Sequence, residues 1–100
     1  MSETLLTISF GELCQSERIA SEVIIEIVDY GIAQPIRGRE IVDWVFDTDS
    51  VHWIKKAVRL NQDLEIDWIA VALVIDLMQQ KESLEKENKC YQEQLRRFIE

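Results

Sequence analysis

A single histidine, His52, is all the imidazole in this 100-residue chain, and no motif accompanies it. A His-based metal site or a Cys–His nucleophile pair therefore has no support in the sequence, and His52 reads as an ordinary surface side chain. The three glycines stand isolated at positions 11, 31 and 38, which rules out a Gly-rich phosphate loop. The two cysteines, Cys14 and Cys90, are far apart and form no C-x-x-C pair, so they are read as reduced thiols, one a small buried residue and one on a helix surface. No apolar run is long enough to cross a bilayer: the longest, WIAVALVI, stops at Asp76 after eight residues. The opening MSETLLTISF has no basic residue ahead of its apolar part and does not read as a secretory signal, so a cytoplasmic protein without membrane attachment is expected. Carboxylates are plentiful but come without the apolar pocket that would tune one for acid–base work. Taken together these gaps point away from an enzyme, and no metal or cofactor is expected.

Basic residues are also scarce. Eleven bases face nineteen acids, for a net charge of −8. The deficit is uneven, with six acids and one base in residues 1–35, four and five in 36–62, and nine and five in 63–100. A DNA-binding surface needs Lys and Arg to displace the counterions on the phosphates. An acidic surface instead favours basic protein partners and speeds their encounter, or serves solubility alone.

What the chain does have is helical periodicity. Ser9-Phe10-Gly11-Glu12 fits a capping box and opens a first helix to about Gln15. A second helix is expected over about Ala20–Tyr30, closed by Gly31 in a left-handed conformation and by Pro35. Residues 36–46, IRGREIVDWVF, are rich in β-branched and aromatic types and read as a small hairpin or wing, with Asp43–Phe46 as its second arm. Asp47 then caps a third helix, to about Asn61, with Val51, Ile54, Ala57 and Val58 inward and His52, Lys55, Lys56 and Arg59 on the opposite edge. Asp67 caps a fourth, which meets no Gly or Pro before Glu100. Its length, about 50 Å, outruns so small a domain. In its second half Leu77, Leu84, Tyr91 and Phe98 share one heptad position and Val74, Lys81, Asn88 and Leu95 the other. We read this stripe as a homodimer seam whose register Asn88 would fix, with Glu82/Lys86, Glu85/Lys89 and Glu93/Arg97 as supporting pairs. The alternative is that the helix folds back on its own domain. The organisation expected is a winged helix-turn-helix-like part over 1–63 and a long dimerising helix over 64–100, in one mainly α structural unit.

The second helix is the unusual one. Val23, Ile24, Ile27 and Val28, with Ala20, make an ordinary core-facing arc, but Ile25 and Tyr30 widen it to about 220°. Glu22, Glu26 and Asp29 fill the rest, with no Lys or Arg. A patch of this kind is a poor reader of bases and a reasonable dock for a protein surface that mixes apolar groups with Lys and Arg. The extra apolar residues packing under the wing or the long helix is the competing explanation.

The order of these elements resembles the winged helix-turn-helix of the MerR superfamily. More narrowly, EIVDYGIAQP, WVFD, KKAVRLNQDLEIDWIAVALVIDLM and the tail QLRRFIE resemble the CbpM family of chaperone modulators over nearly the whole chain. DNA-binding MerR regulators usually carry Arg and Tyr in the middle of the second helix; here Ile25, Glu26 and Ile27 stand there, which counts against DNA readout. The resemblance implies an adaptor that binds the J-domain of CbpA, a DnaJ-type co-chaperone, blocks its coupling to DnaK and lowers its DNA binding, with nucleoid association expected through CbpA. From surface reasoning, Glu22, Ile25, Glu26, Asp29 and Tyr30 are the expected contact residues, with Asp76, Glu82 and Glu85 of the long helix as the rival face. Leu77, Leu84, Asn88, Tyr91, Leu95 and Phe98 are expected to form the dimer seam. A DNA-reading regulator using Arg37, Arg39, Lys55, Lys56 and Arg59, and a bare dimerisation module with an unrelated partner, are the alternatives.

Overall fold

Side chains at the turns set where each helix starts and stops. The computed structural model of the protein describes residues 6–99. Helix α1 (Phe10–Glu17) begins at Ser9, whose Oγ accepts the Glu12 backbone N–H at 3.2 Å and donates to Glu12 Oε1 at 3.1 Å. It runs two residues beyond the expected end and stops at Arg18, which takes a left-handed φ of 53°. Helix α2 (Ser21–Asp29) has no side-chain cap at its start but a complete one at its end. There Gly31 adopts φ 73°, its N–H reaches Val28 O at 3.0 Å, and the Ile32 N–H reaches Ile27 O at 3.1 Å. These two bonds make the Schellman closure, and Ile32 is buried, as that motif favours.

The wing departs from expectation. Its second arm forms as strand β2 (Val45–Asp47), but β2's main partner is strand β1 (Thr7–Ser9), paired antiparallel with Ile8 opposite Phe46. The first arm shrinks to a single bridge between Arg37 and Val45, and Ile41–Asp43 coil into a 3-10 turn. Gly38 is the reason the wing can close so tightly. At φ 110°, a Cβ there would overlap the Asp43 carbonyl and the Trp44 amide.

Asp47 ends β2 and caps helix α3 (Thr48–Asp63), accepting the Ser50 N–H at 2.8 Å; Ser50 Oγ in turn donates to Gln34 O at 3.1 Å. α3 buries Trp53, Ile54 and Ala57, whereas Val51 and Val58, expected to face inward, are half-buried. Trp53 was not expected in the core. It joins the core cluster with its indole under Lys56, whose Nζ lies 5.8 Å from the ring centroid. Asn61 Nδ2 donates to Ile66 O at 2.8 Å and shapes the link to helix α4 (Trp68–Ile99), where Asp67 accepts the Ala70 N–H at 2.9 Å.

One hydrophobic core holds these elements together. Leu13, Ile24, Ile27, Phe46, Ile54, Val71 and Ile75 are its most enclosed side chains, one or more from α1, α2, β2, α3 and α4. Phe10, Trp44 and Phe46 stack edge to face at 6.0 and 6.2 Å, an arrangement worth about 0.5–1.5 kcal/mol per pair beyond burial. On α4 the core face ends at half-buried Met78. Every residue from Gln79 to Ile99 is exposed, so about 30 Å of helix extends past the core. The molecule measures 54 × 39 × 21 Å.

Candidate protein-docking site

Helix α2 puts its three carboxylates on one exposed face, and none of them has a salt-bridge partner among the described residues. Local helix physics does not account for this. Glu22 in the first turn suits the positive end of the helix, but Glu26 follows it at i+4, a like-charge pair costing about 0.2–0.5 kcal/mol. Asp29 sits at the negative end, where the last turn has no base, at a further cost of about 0.3–1 kcal/mol. The face is arranged against the stability of its own helix.

The apolar part of that face is narrower than the sequence suggests. Ile25 turns far enough inward to be half-buried against the core, which leaves Tyr30, 44% exposed, as the outward apolar residue of this end of α2. Tyr30 opens onto something the sequence did not reveal. A groove of about 360 Å³ runs between Tyr30, Gly31 and Ile32 on one side and Ile69, Ala72, Leu73 and Asp76 of α4 on the other. Of the expected contact residues Tyr30 lines this groove, and so does Asp76, the first residue of the rival face; Glu22, Ile25, Glu26 and Asp29 lie outside it. Ile69 and Leu73 are largely exposed beside it, and Asp76 accepts a hydrogen bond from Gln80 Nε2 at 2.9 Å. The spacing of Ile69, Leu73 and Leu77 at four-residue intervals was the one available signal: it marks a second apolar stripe on α4, opposite Val71 and Ile75. Glu82 and Glu85 lie farther along the exposed tail, where Glu85 meets Lys81 at 3.8 Å. The pairs expected at Glu82/Lys86, Glu85/Lys89 and Glu93/Arg97 are not formed.

That second stripe continues along the tail. At 100° per residue, Ile69, Leu73, Leu77, Leu84, Tyr91, Leu95 and Phe98 fall within an arc of about 80°. Leu77, Leu84, Tyr91, Leu95 and Phe98 are all largely exposed, Phe98 at 89%, with Asn88 exposed at the stripe's edge. Nothing among the described residues covers this row.

The remaining chemistry is sparse. Among the described residues no polar or charged side chain is buried, so none sits in the apolar surroundings that tune a catalytic group. Cys14 is partly buried, and burial together with the Glu22 carboxylate pushes its thiol above the usual range; Cys90 is exposed on the tail. No helix among the described residues is long and apolar enough to cross a membrane.

Comparison with known proteins agrees with this architecture. The family model described as MerR HTH family regulatory protein matches residues 8–93. The chaperone modulatory protein CbpM of Pseudomonas putida strain F1 is 41% identical, over all of this chain and 99% of that protein. The protein of the same name from Pseudomonas entomophila is 38% identical over the same shares, and that of Escherichia coli O1:K1 is 32% identical over 99% of this chain and 97% of its own length.

Proposed function

The chain belongs to the MerR HTH family of regulatory proteins and to the chaperone modulatory proteins CbpM, and on that premise we propose that it inhibits a DnaJ-type co-chaperone by covering its J-domain. The observation that carries this reading is the α2 face: Glu22, Glu26 and Asp29 stand exposed and unneutralised where a DNA reader of this fold would need bases. Its partner is a basic surface, and J-domains present a basic helix to DnaK. Charge steers the encounter, and apolar contact at Tyr30 and in the groove beside Leu73 supplies affinity. Inhibition is then occlusion: a J-domain held on this face is not free to engage DnaK or to contact DNA. No bond is made or broken, and the protein acts without catalysis or cofactor.

The exposed apolar row on α4 supports a homodimer through Leu77, Leu84, Tyr91, Leu95 and Phe98, with Asn88 setting register. A lone helix projecting beyond its domain with such a row would leave a large apolar surface in water.

The test is a titration of this protein against the isolated J-domain of the CbpA-type protein from the same source, at two salt concentrations. Saturable binding that weakens with salt is expected, because exposed charges beyond about 10 Å are screened at 0.1 M. No binding at tens of micromolar would refute the reading and return the question to DNA or another partner.

A further inference from the structure

Three of the eleven basic residues of this acidic chain, Lys55, Lys56 and Arg59, line a second groove, on the solvent side of α3, that the α2 site does not use. It is the larger of the two described, about 560 Å³. Half-buried Val51 and Leu60 form its floor, Leu64, 59% exposed, closes one end, and Lys55, Lys56 and Arg59 stand on its rim. Asp63 is the one carboxylate in the lining, against three cations, and Leu64 is left bare at the end of the groove. The cations do not serve the helix dipole, because they lie mid-helix and the last turn of α3 has no base. Lys55 is engaged loosely by Glu17 of α1 at 3.6 Å, and Arg59 meets no acid among the described residues.

We propose that this groove is a docking site for an acidic amphipathic segment of a partner protein, separate from the J-domain face. The complementarity is specific in kind. Carboxylates spaced one helical turn apart reach Lys55 and Arg59, which are themselves spaced by four, and Arg59 can take one of them bidentately. Apolar side chains between those carboxylates cover Val51, Leu60 and Leu64 and remove them from water. A duplex nucleic acid fits less well. Its phosphates have no use for an apolar floor, and the net charge of −8 opposes its approach. The site therefore gives an acidic protein a neutral-to-basic foothold on a molecule that would otherwise repel it.

The test uses the full chain and a fluorescein-labelled synthetic helical peptide about as long as α3, with Glu one turn apart and Leu between them. A scrambled peptide of equal composition and a short DNA duplex are run alongside. Saturable binding of the patterned peptide is expected, with roughly tenfold loss on Arg59→Glu and a smaller loss on Leu64→Ser. Both substitutions are at exposed side chains, and circular dichroism confirms that the variants stay folded. Amide shifts in the labelled protein are expected over residues 51–64 and not over 22–30, while J-domain affinity is unchanged in Arg59→Glu. Any of four results would overturn the proposal: no peptide binding, equal binding of the scrambled peptide, tighter binding of DNA than of the peptide, or loss of J-domain affinity in Arg59→Glu, which would merge the two sites.

Discussion

Reversing two charges on α2, Glu26→Lys with Asp29→Lys, is expected to make the protein more stable and its binding weaker at once. The stability term follows from the helix. Replacing Glu26 by Lys removes the like-charge pair with Glu22 and puts an opposite charge four residues after it, in the favourable order, a swing of about 0.5–1 kcal/mol. Replacing Asp29 by Lys puts a cation at the negative end of α2, for about 0.5 kcal/mol more. Both side chains are exposed and neither is hydrogen-bonded through its carboxylate among the described residues, so no contact is lost. A net gain of about 1 kcal/mol raises the melting temperature by about 4–8 °C in a domain of this size. Binding moves the other way, because two carboxylates facing a basic partner become two like charges; J-domain affinity is expected to fall by well over tenfold. Thermal unfolding by circular dichroism and a J-domain titration on the same preparation check both halves. A variant that is stabilised and still binds normally would remove the α2 face from the site and move it toward Asp76 and the tail. A destabilised variant would show that these carboxylates support the fold after all.

Other expectations concern separate parts of the molecule. Leu84→Glu touches no core atom, so the chain is expected to stay folded while its light-scattering mass drops from dimer to monomer; an unchanged mass would deny the seam. Gly38→Ala is expected to cost about 1–3 kcal/mol, because φ 110° and the Asp43 carbonyl both exclude a Cβ. Gly11→Ala, in α1 with nothing near its Cβ position, is expected to stabilise by about 0.5–1 kcal/mol, so the two melting temperatures move in opposite directions. At pH 8 a thiol reagent is expected to modify exposed Cys90 well before Cys14. Because the folded state holds the Cys14 proton more tightly than the unfolded chain, stability is present below the ordinary thiol value of 9.0 and declines as pH rises through and above it. Cys14→Ala is expected to flatten that decline in urea titrations.

What could be read from the sequence was local. Ser9, Asp47, Asp67 and Gly31 act within one turn of where they stand, and all four sit at the helix ends that their chemistry implied. The three-residue strand β1 is too short to show a period, and its pairing with Val45–Asp47 spans most of the domain, so a local reading assigned the wing to residues 36–46 alone. Trp53 was missed because the basic residues around it made its side of α3 look solvated, whereas the indole lies under Lys56 and against the core. The tail ion pairs were not legible because exposed pairs are worth only about a few tenths of a kcal/mol each and select no fixed pattern: Glu85 meets Lys81 and not the expected Lys89. The acidic face of α2 was legible as composition, but its extension into the Tyr30–Leu73–Asp76 groove was not, since that groove joins residues more than forty positions apart.

The central claim is that this protein silences a co-chaperone by occupying its J-domain. Its most direct test is DnaK's ATP turnover, stimulated by the CbpA-type protein, as increasing amounts of this chain are added. The expected result is suppression that saturates as the J-domain is filled, with the Glu26→Lys/Asp29→Lys variant leaving stimulation intact. Full stimulation in the presence of excess unmodified protein would contradict the account.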